Sequence, residues 1–286
     1  MLGRLVCRRG LSSLVTQQQA RGVLSLQLSS KPVNAISLDL CRQLTSTLRQ
    51  LEDDKAVRGV LIGSAVSGVF SGGLDLKALI LTSENTEDAV AEFWTAVQEM
   101  WLTLYMTPLA TVASISGHCP AGGCLLALSC DARVMAEGKY TIGLNEAKLG
   151  LVPPAWLSAM LKDTVGQRKA DWMLQLAQML KPADAAAAGV VDEIVPLSHL
   201  HDASMAKMSE LLQAPSAPSP PQALCARYVP DGARAMIKQQ LRRNAANSLR
   251  DFQSEDLDEF LGVVLQPSVQ AGLIQYAAAL KTKESD

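Results

Sequence analysis

Between Thr111 and Leu128 the chain sets out a strand, a loop and a buried helix in quick succession. Thr111-Val112-Ala113-Ser114-Ile115 is apolar and partly β-branched, and a helix-favouring run follows from Leu125 to Leu128. The loop between them is Ser116-Gly117-His118-Cys119-Pro120-Ala121, and the helix opens on the pair Gly122-Gly123. A helix N-terminus leaves backbone N–H groups without intrahelical partners and carries partial positive charge. Glycine lets another group come close to that backbone. The result is a place for an anion or a developing oxyanion. The same residues also fit a tight helix-on-strand packing, and a short motif alone does not separate the two.

The rest of the chain repeats the alternation. Gly22 to Leu28 alternates as a half-buried strand, Ser37 stands as an N-cap before the apolar spacing Leu38, Cys41, Leu44, Leu48 and Leu51, and residues 59–63 form a short buried strand. A second helix is expected from about Thr86 to Met106, ended by Pro108. Short strands are expected at 132–135, 140–142 and 190–195, with helices after Pro153-Pro154, over 167–178 and after Pro182. Strand–helix units of this kind imply an α/β fold with mostly parallel strands. Residues 231–281 read as helical throughout. The domain reading is a core over 21–212, a Pro- and Ala-rich connection over 213–230, and a C-terminal helical region over 231–286.

Residues 1–20 stand apart. No acidic residue occurs before Asp39, and Arg4, Arg8, Arg9 and Arg21 are interspersed with serine and leucine. That composition is the signature of an organelle transit peptide, although Ser13 to Gln17 also fits the start of a first strand. With 26 basic and 28 acidic residues, the charge balance gives no reason to expect nucleic acid as a partner. No apolar run reaches the roughly 18 residues of a membrane span. The six cysteines form no Cys-x-x-Cys pair and no zinc spacing with histidine, so neither a metal nor a disulfide framework is expected. Cys41, Cys124 and Cys130 sit in apolar surroundings, as small core residues do.

Two further stretches bear on the chemistry. Phe70-Ser71-Gly72-Gly73-Leu74-Asp75-Leu76 is a second glycine-bearing turn after a short strand. Together the two turns can bring two backbone N–H groups to one oxygen, and a single such donor is typically worth about 2.7–4 kcal/mol in a transition state. Glu146 stands among Ile142, Gly143, Leu144, Leu149 and Leu151. In an apolar pocket its pKa would rise and fit it for general-base work near neutral pH; on a surface loop it would do nothing of the kind. His118 has no carboxylate at a spacing that would orient it, and Ser114 and Ser116 lack a nucleophile-elbow pattern.

At these three stretches, in this order, the sequence resembles the crotonase (enoyl-CoA hydratase/isomerase) superfamily. The resemblance runs from about residue 22 to the C-terminal helices. It implies a spiral of ββα turns followed by helices that support a homotrimer, an acyl-CoA substrate and no cofactor. Carried over position by position, the amides of Gly72 and Gly122 would form the oxyanion hole, and Gly72, Gly73, Leu74, Asp75 and Leu76 would line the acyl-CoA groove. Asn145 would contact the substrate and Glu146 would be the acid/base. Hydratases of this family carry a first glutamate directly after the glycine-glycine-cysteine run, where this chain has Leu125. Leucine cannot hold and activate water, whereas moving a double bond needs one base only. The resemblance therefore implies isomerisation of a 3-enoyl-CoA to the 2-trans form, with Leu125 as an apolar wall. A non-catalytic CoA-binding protein of the same fold, a hydratase and a thioesterase remain open at this point.

Overall fold

The structure is a computed structural model that describes residues 13–18, 22–212 and 229–283. The expected transit segment up to residue 12 and the Pro- and Ala-rich connection over 213–228 lie outside the described residues. One sheet carries the fold. Its strands are β1 (Leu14–Gln18), β2 (Val23–Leu28), β3 (Gly59–Ser64), β4 (Ala110–Ile115), β6 (Ala132–Ala136) and β8 (Glu193–Val195), in that spatial order. All neighbours are parallel except β1 and β2, which pair antiparallel from Leu14↔Leu28 to Gln18↔Leu24. The sheet thus begins at Leu14, inside the stretch expected to be transit segment: residues 14–18, which overlap the alternative first strand over 13–17, pair with β2 as its edge partner.

Parallel strands joined by crossovers are covered on both faces, which is why β4 and β6 are buried along their whole length. One face packs on α7 (Leu200–Leu212), whose Met208 and Leu212 meet Val23, Leu61, Val112 and Val134. The other carries α1 (Leu38–Asp53), α2 (Glu87–Met106) and α3 (Gly122–Ser129). The expected caps form: Ser37 Oγ accepts from Leu40 N at 3.3 Å and Thr86 Oγ1 from Ala89 N at 3.4 Å. Helices α4 (Ala155–Val165), α5 (Gln167–Gln175) and α6 (Pro182–Ala188) complete the core region.

A second, shorter ladder runs beside the main sheet and gives the spiral its second strand per turn. Ile36 bridges Leu74, Val69 bridges His118, β5 (Cys119–Pro120) pairs with β7 (Ile142–Gly143), and Ile142 bridges Leu180. This ladder places the two glycine-bearing turns and the Glu146 segment side by side.

The C-terminal region is three helices: α8 (Asp231–Arg250), α9 (Gln253–Val264) and α10 (Pro267–Lys283). The breaks fall at Asp251-Phe252 and just before Pro267, whose ring cannot continue a helix from behind but suits a first turn. These helices are not a separate body. Leu249, Val264, Val269 and Leu273 belong to the same apolar cluster as α1 to α3. Asp131, half-buried two residues past α3, receives Lys238 Nζ and Arg242 Nη2 of α8 at 3.0 and 2.9 Å. No helix among the described residues is long and apolar enough to cross a membrane.

Candidate active site

The two glycine-bearing turns are stitched together through the backbone. Phe70 and Ser71 both donate their N–H to the carbonyl of His118, at 2.9 and 3.3 Å. Ala121, the residue before α3, donates to Gly143 O at 2.8 Å and is held at φ 47°, ψ −120°. An alanine in such a conformation costs about 1–3 kcal/mol and persists where the surroundings over-determine it. Here the β5–β7 pairing does so, and it aims the first turn of α3 at the other loop. A Cβ on Gly123 would lie 2.6 Å from Ser71 O, so only glycine allows the contact. A Cβ on Gly122 would lie 3.1 Å from the Leu74 amide nitrogen. The backbones at Gly122 and Leu74 therefore converge.

This corrects the expectation for the first donor. Gly72 N–H is donated to Val33 O at 2.7 Å, so it is consumed by the fold. Two residues on, Ile36 N–H bonds Gly73 O at 2.8 Å and Asp75 N–H bonds Ile36 O at 3.0 Å. In a parallel bridge of this form the residue between, Leu74, turns its own N–H away from the Ile36 strand. Among the described residues no acceptor takes the Leu74 N–H, nor that of Gly122 at the first position of α3. Leu74 and Gly122 are thus two unused donors that line the same cavity. Glycine in the motif marks where the chain must turn; hydrogen-bond direction along the extended segment decides which residue donates.

Leu74, Gly122, Leu125 and Glu146 all line one cavity of about 40 Å³. Its other walls are Leu79, Trp94, Val97, Leu151, Trp156, Leu157 and Phe260, with Val152, Pro153 and Pro154 alongside. Among the described residues Glu146 is its sole ionisable lining residue. The carboxylate is placed by a short 3-10 turn, Glu146–Leu149, that follows β7 and ends at Gly150 in the left-handed conformation. Its Oε2 is buried with no hydrogen-bond partner. Burial raises the Glu146 pKa from 4.5 to about 7, against a smaller lowering by a backbone hydrogen bond. Leu125, 3% exposed, presents only hydrocarbon to the same space.

The remaining expected residues fall around the site. Gly73 is buried at φ 97°, its N–H on Ser71 Oγ at 3.2 Å. Asp75 caps the turn Leu76–Ala78 by accepting from Lys77 N at 3.0 Å, and Leu76 packs on the core; neither lines the cavity. Asn145 precedes the Glu146 turn, half-buried and without a side-chain cap bond, and is also absent from the cavity wall. His118 lies outside, its Nδ1 3.2 Å from Thr141 Oγ1 and its ring edge-on to Tyr140. Cys124 is fully buried and its thiol is pushed well above its ordinary range, chiefly by burial; Cys41 and Cys130 are likewise buried free thiols. The aromatic wall was not singled out as functional from sequence. Trp94 reads as one more apolar position on α2, and nothing local marks Phe260 as its partner across the fold.

A larger cleft of about 750 Å³, bordered by Arg49, Glu52, Glu99, Gln239 and Arg250, shares no lining residue with this site and is bridged by the Arg49–Glu99 ion pair.

Two unused amides and a carboxyl with one unpartnered oxygen around one apolar cavity are equipment for moving a proton next to a carbonyl whose oxygen gains charge. The comparisons agree with that class. The chain matches the model of the enoyl-CoA hydratase/isomerase family over residues 18–283, and it belongs to that family. It is 39% identical over 272 residues to mitochondrial enoyl-CoA delta isomerase 1 of Mus musculus, spanning 95% of this chain and 88% of the relative. The corresponding protein of Homo sapiens is 36% identical, over 95% and 84% of the two chains. The crystal structure of human mitochondrial delta3-delta2-enoyl-CoA isomerase superposes with a TM-score of 0.85 at 36% identity, covering 95% of this chain and 99% of that one.

Proposed function

We propose that the protein is a Δ3,Δ2-enoyl-CoA isomerase of fatty acid β-oxidation, shifting a 3-cis or 3-trans double bond to 2-trans by a single-base proton shuttle. The observation that carries the reading is the cavity itself. It holds one ionisable group, Glu146, poised near neutrality, and an apolar Leu125 where a water-activating carboxylate would have to stand.

The steps balance without a cofactor. The thioester oxygen accepts the N–H groups of Leu74 and Gly122. Ionised Glu146 takes a proton from C2, and the electron pair spreads over a dienolate whose oxygen the two amides hold. Protonated Glu146 returns the proton at C4, and the double bond settles between C2 and C3. Water has no polar side chain besides Glu146 to bind in the cavity, so addition across the new double bond does not compete.

The relatives named mitochondrial and the arginine-bearing, acid-free N-terminus support a place in the mitochondrial matrix. A homotrimer completes the reading. The stripe Met236, Ile237 and Leu241 on α8, each more than half exposed, is apolar surface suited to a subunit contact.

Product analysis tests the reading. With trans-3-hexenoyl-CoA the purified protein yields the conjugated 2-enoyl thioester, and with crotonyl-CoA it yields negligible hydration product. Hydration of crotonyl-CoA would overturn the argument from Leu125, and CoA binding without either reaction would make the protein a binder.

A further inference from the structure

Asp256 on α9 lies outside the reacting centre, yet it holds the two largest rings of the cavity. The Trp94 indole N–H donates to its Oδ2 at 2.9 Å, and the Trp156 indole N–H to its Oδ1 at 2.9 Å. Gln98, fully buried on α2, adds a third donor to Oδ2 at 2.7 Å and also bonds Gln253 O at 3.2 Å. One turn further along α9, Phe260 stacks on Trp94 with ring centroids 3.7 Å apart and planes 4° from parallel. Trp101 closes the cluster from behind, 4.4 Å from Trp156. Trp94, Trp156 and Phe260 line the cavity that contains Glu146.

We infer that Asp256 is a positioning residue that fixes the Trp94–Trp156–Phe260 wall and thereby sets how far an acyl tail can extend beyond the reacting carbons. The inference rests on the acyl-CoA reading above. Its physical basis is the pairing of rigidity with small volume. Neither indole can swing aside without leaving its N–H donor unpaired, and for Trp156 the Oδ1 acceptor as well. A cavity of about 40 Å³ holds only two or three water-sized groups. Carbons past the Glu146 region therefore meet aromatic faces, and a longer tail enters only if α9 or its rings give way. The same bonds tie the C-terminal helices to substrate choice, since α9 provides both Asp256 and Phe260.

The test uses the full-length protein in two arms. In calorimetric titrations of the wild type with the saturated thioesters butyryl-, hexanoyl-, octanoyl- and decanoyl-CoA, affinity rises by roughly fourfold per methylene only until the tail reaches the wall, and then stops rising. In the second arm, kcat/KM is compared for 3-hexenoyl- and 3-dodecenoyl-CoA. Phe260→Ala raises the twelve-to-six-carbon ratio at least tenfold. Asp256→Asn, which removes one acceptor oxygen but keeps the shape, raises it by about threefold, and Asp256→Leu raises it further. A wild-type affinity that climbs steadily through decanoyl-CoA, or a ratio unmoved in folded Phe260→Ala and Asp256→Asn proteins, would overturn the inference. The two claims separate. A plateau in binding without turnover sinks the isomerase and spares the wall, turnover with no plateau and no ratio shift does the reverse, and absence of binding sinks both.

Discussion

Glu146 is the residue where stability and activity oppose each other. Its folded-state pKa is raised from 4.5 to about 7 by burial, so between those values the folded chain keeps a proton that the unfolded chain releases. For an acid shifted upward, the stability contribution is full below pH 4.5 and is lost as pH rises through about 7. Replacing it by glutamine removes the buried charge without changing shape. Glu146→Gln is expected to be more stable than wild type by about 1–3 kcal/mol at pH 8, the difference closing towards pH 4.5, as denaturant titrations at the two pH values would show. The same variant loses isomerase activity by about a thousandfold or more. In wild type, kcat/KM rises with pH up to about 7 and then levels, because the free enzyme needs the ionised carboxylate.

The oxyanion donors are also a residue-scale matter, and the backbone can be edited one atom at a time. An amide-to-ester change that deletes the N–H of residue 74 is expected to lower kcat by 10²–10³, the usual effect of losing one such donor. The same change at residue 72 deletes a structural bond to Val33 O and costs about 0.5–1.5 kcal/mol of stability, with a far smaller effect on kcat. Equal effects at the two positions would return Gly72 to the role that the motif alone suggests.

At the scale of elements, most of the site was legible because its parts obey local rules. The strand before each glycine turn is apolar, α3 opens on Gly122-Gly123, and Glu146 lies in an apolar neighbourhood. What was not legible depends on pairing at long range. The donor at Leu74 follows from a bridge to Ile36, and the wall at Phe260 from the docking of α9 on α2. The helical stretch after 231 gave no sign that its charged face turns inward, yet Lys238 is 7% exposed and Arg242 bonds the carbonyls of Tyr105 and Ser129. Asp131 is what makes that burial possible; its carboxyl is held below the usual carboxylate range by Lys238 and Arg242 despite its own burial, and burial draws Lys238 down to about 8. Removing one member of such a group leaves uncompensated buried charge. Asp131→Ala is expected to destabilise the fold by about 3–5 kcal/mol in denaturant unfolding, whereas Glu92→Ala, which breaks the exposed pair with Arg42, changes it by less than about 1 kcal/mol.

At the scale of the whole molecule, the C-terminal helices belong to the catalytic unit rather than standing beside it. They extend the main apolar cluster, neutralise Asp131 and close the acyl cavity. A chain ending at residue 230 would expose the core surface that α8 to α10 cover. It is expected to lose cooperative thermal unfolding and acyl-CoA binding together, not to survive as a weakened enzyme.

In the proposed reaction one carboxyl carries one proton across an apolar cavity in which Glu146 is the sole ionisable lining residue among the described residues. Isomerisation of 3-hexenoyl-CoA deuterated at C2 tests it most directly, with the label in the 2-trans product located by NMR. The account predicts deuterium at C4, moved there within single turnovers and abolished with activity in Glu146→Gln. Product formed at full rate with only solvent hydrogen at C4 would contradict it, since the proton would then pass through water or a second base.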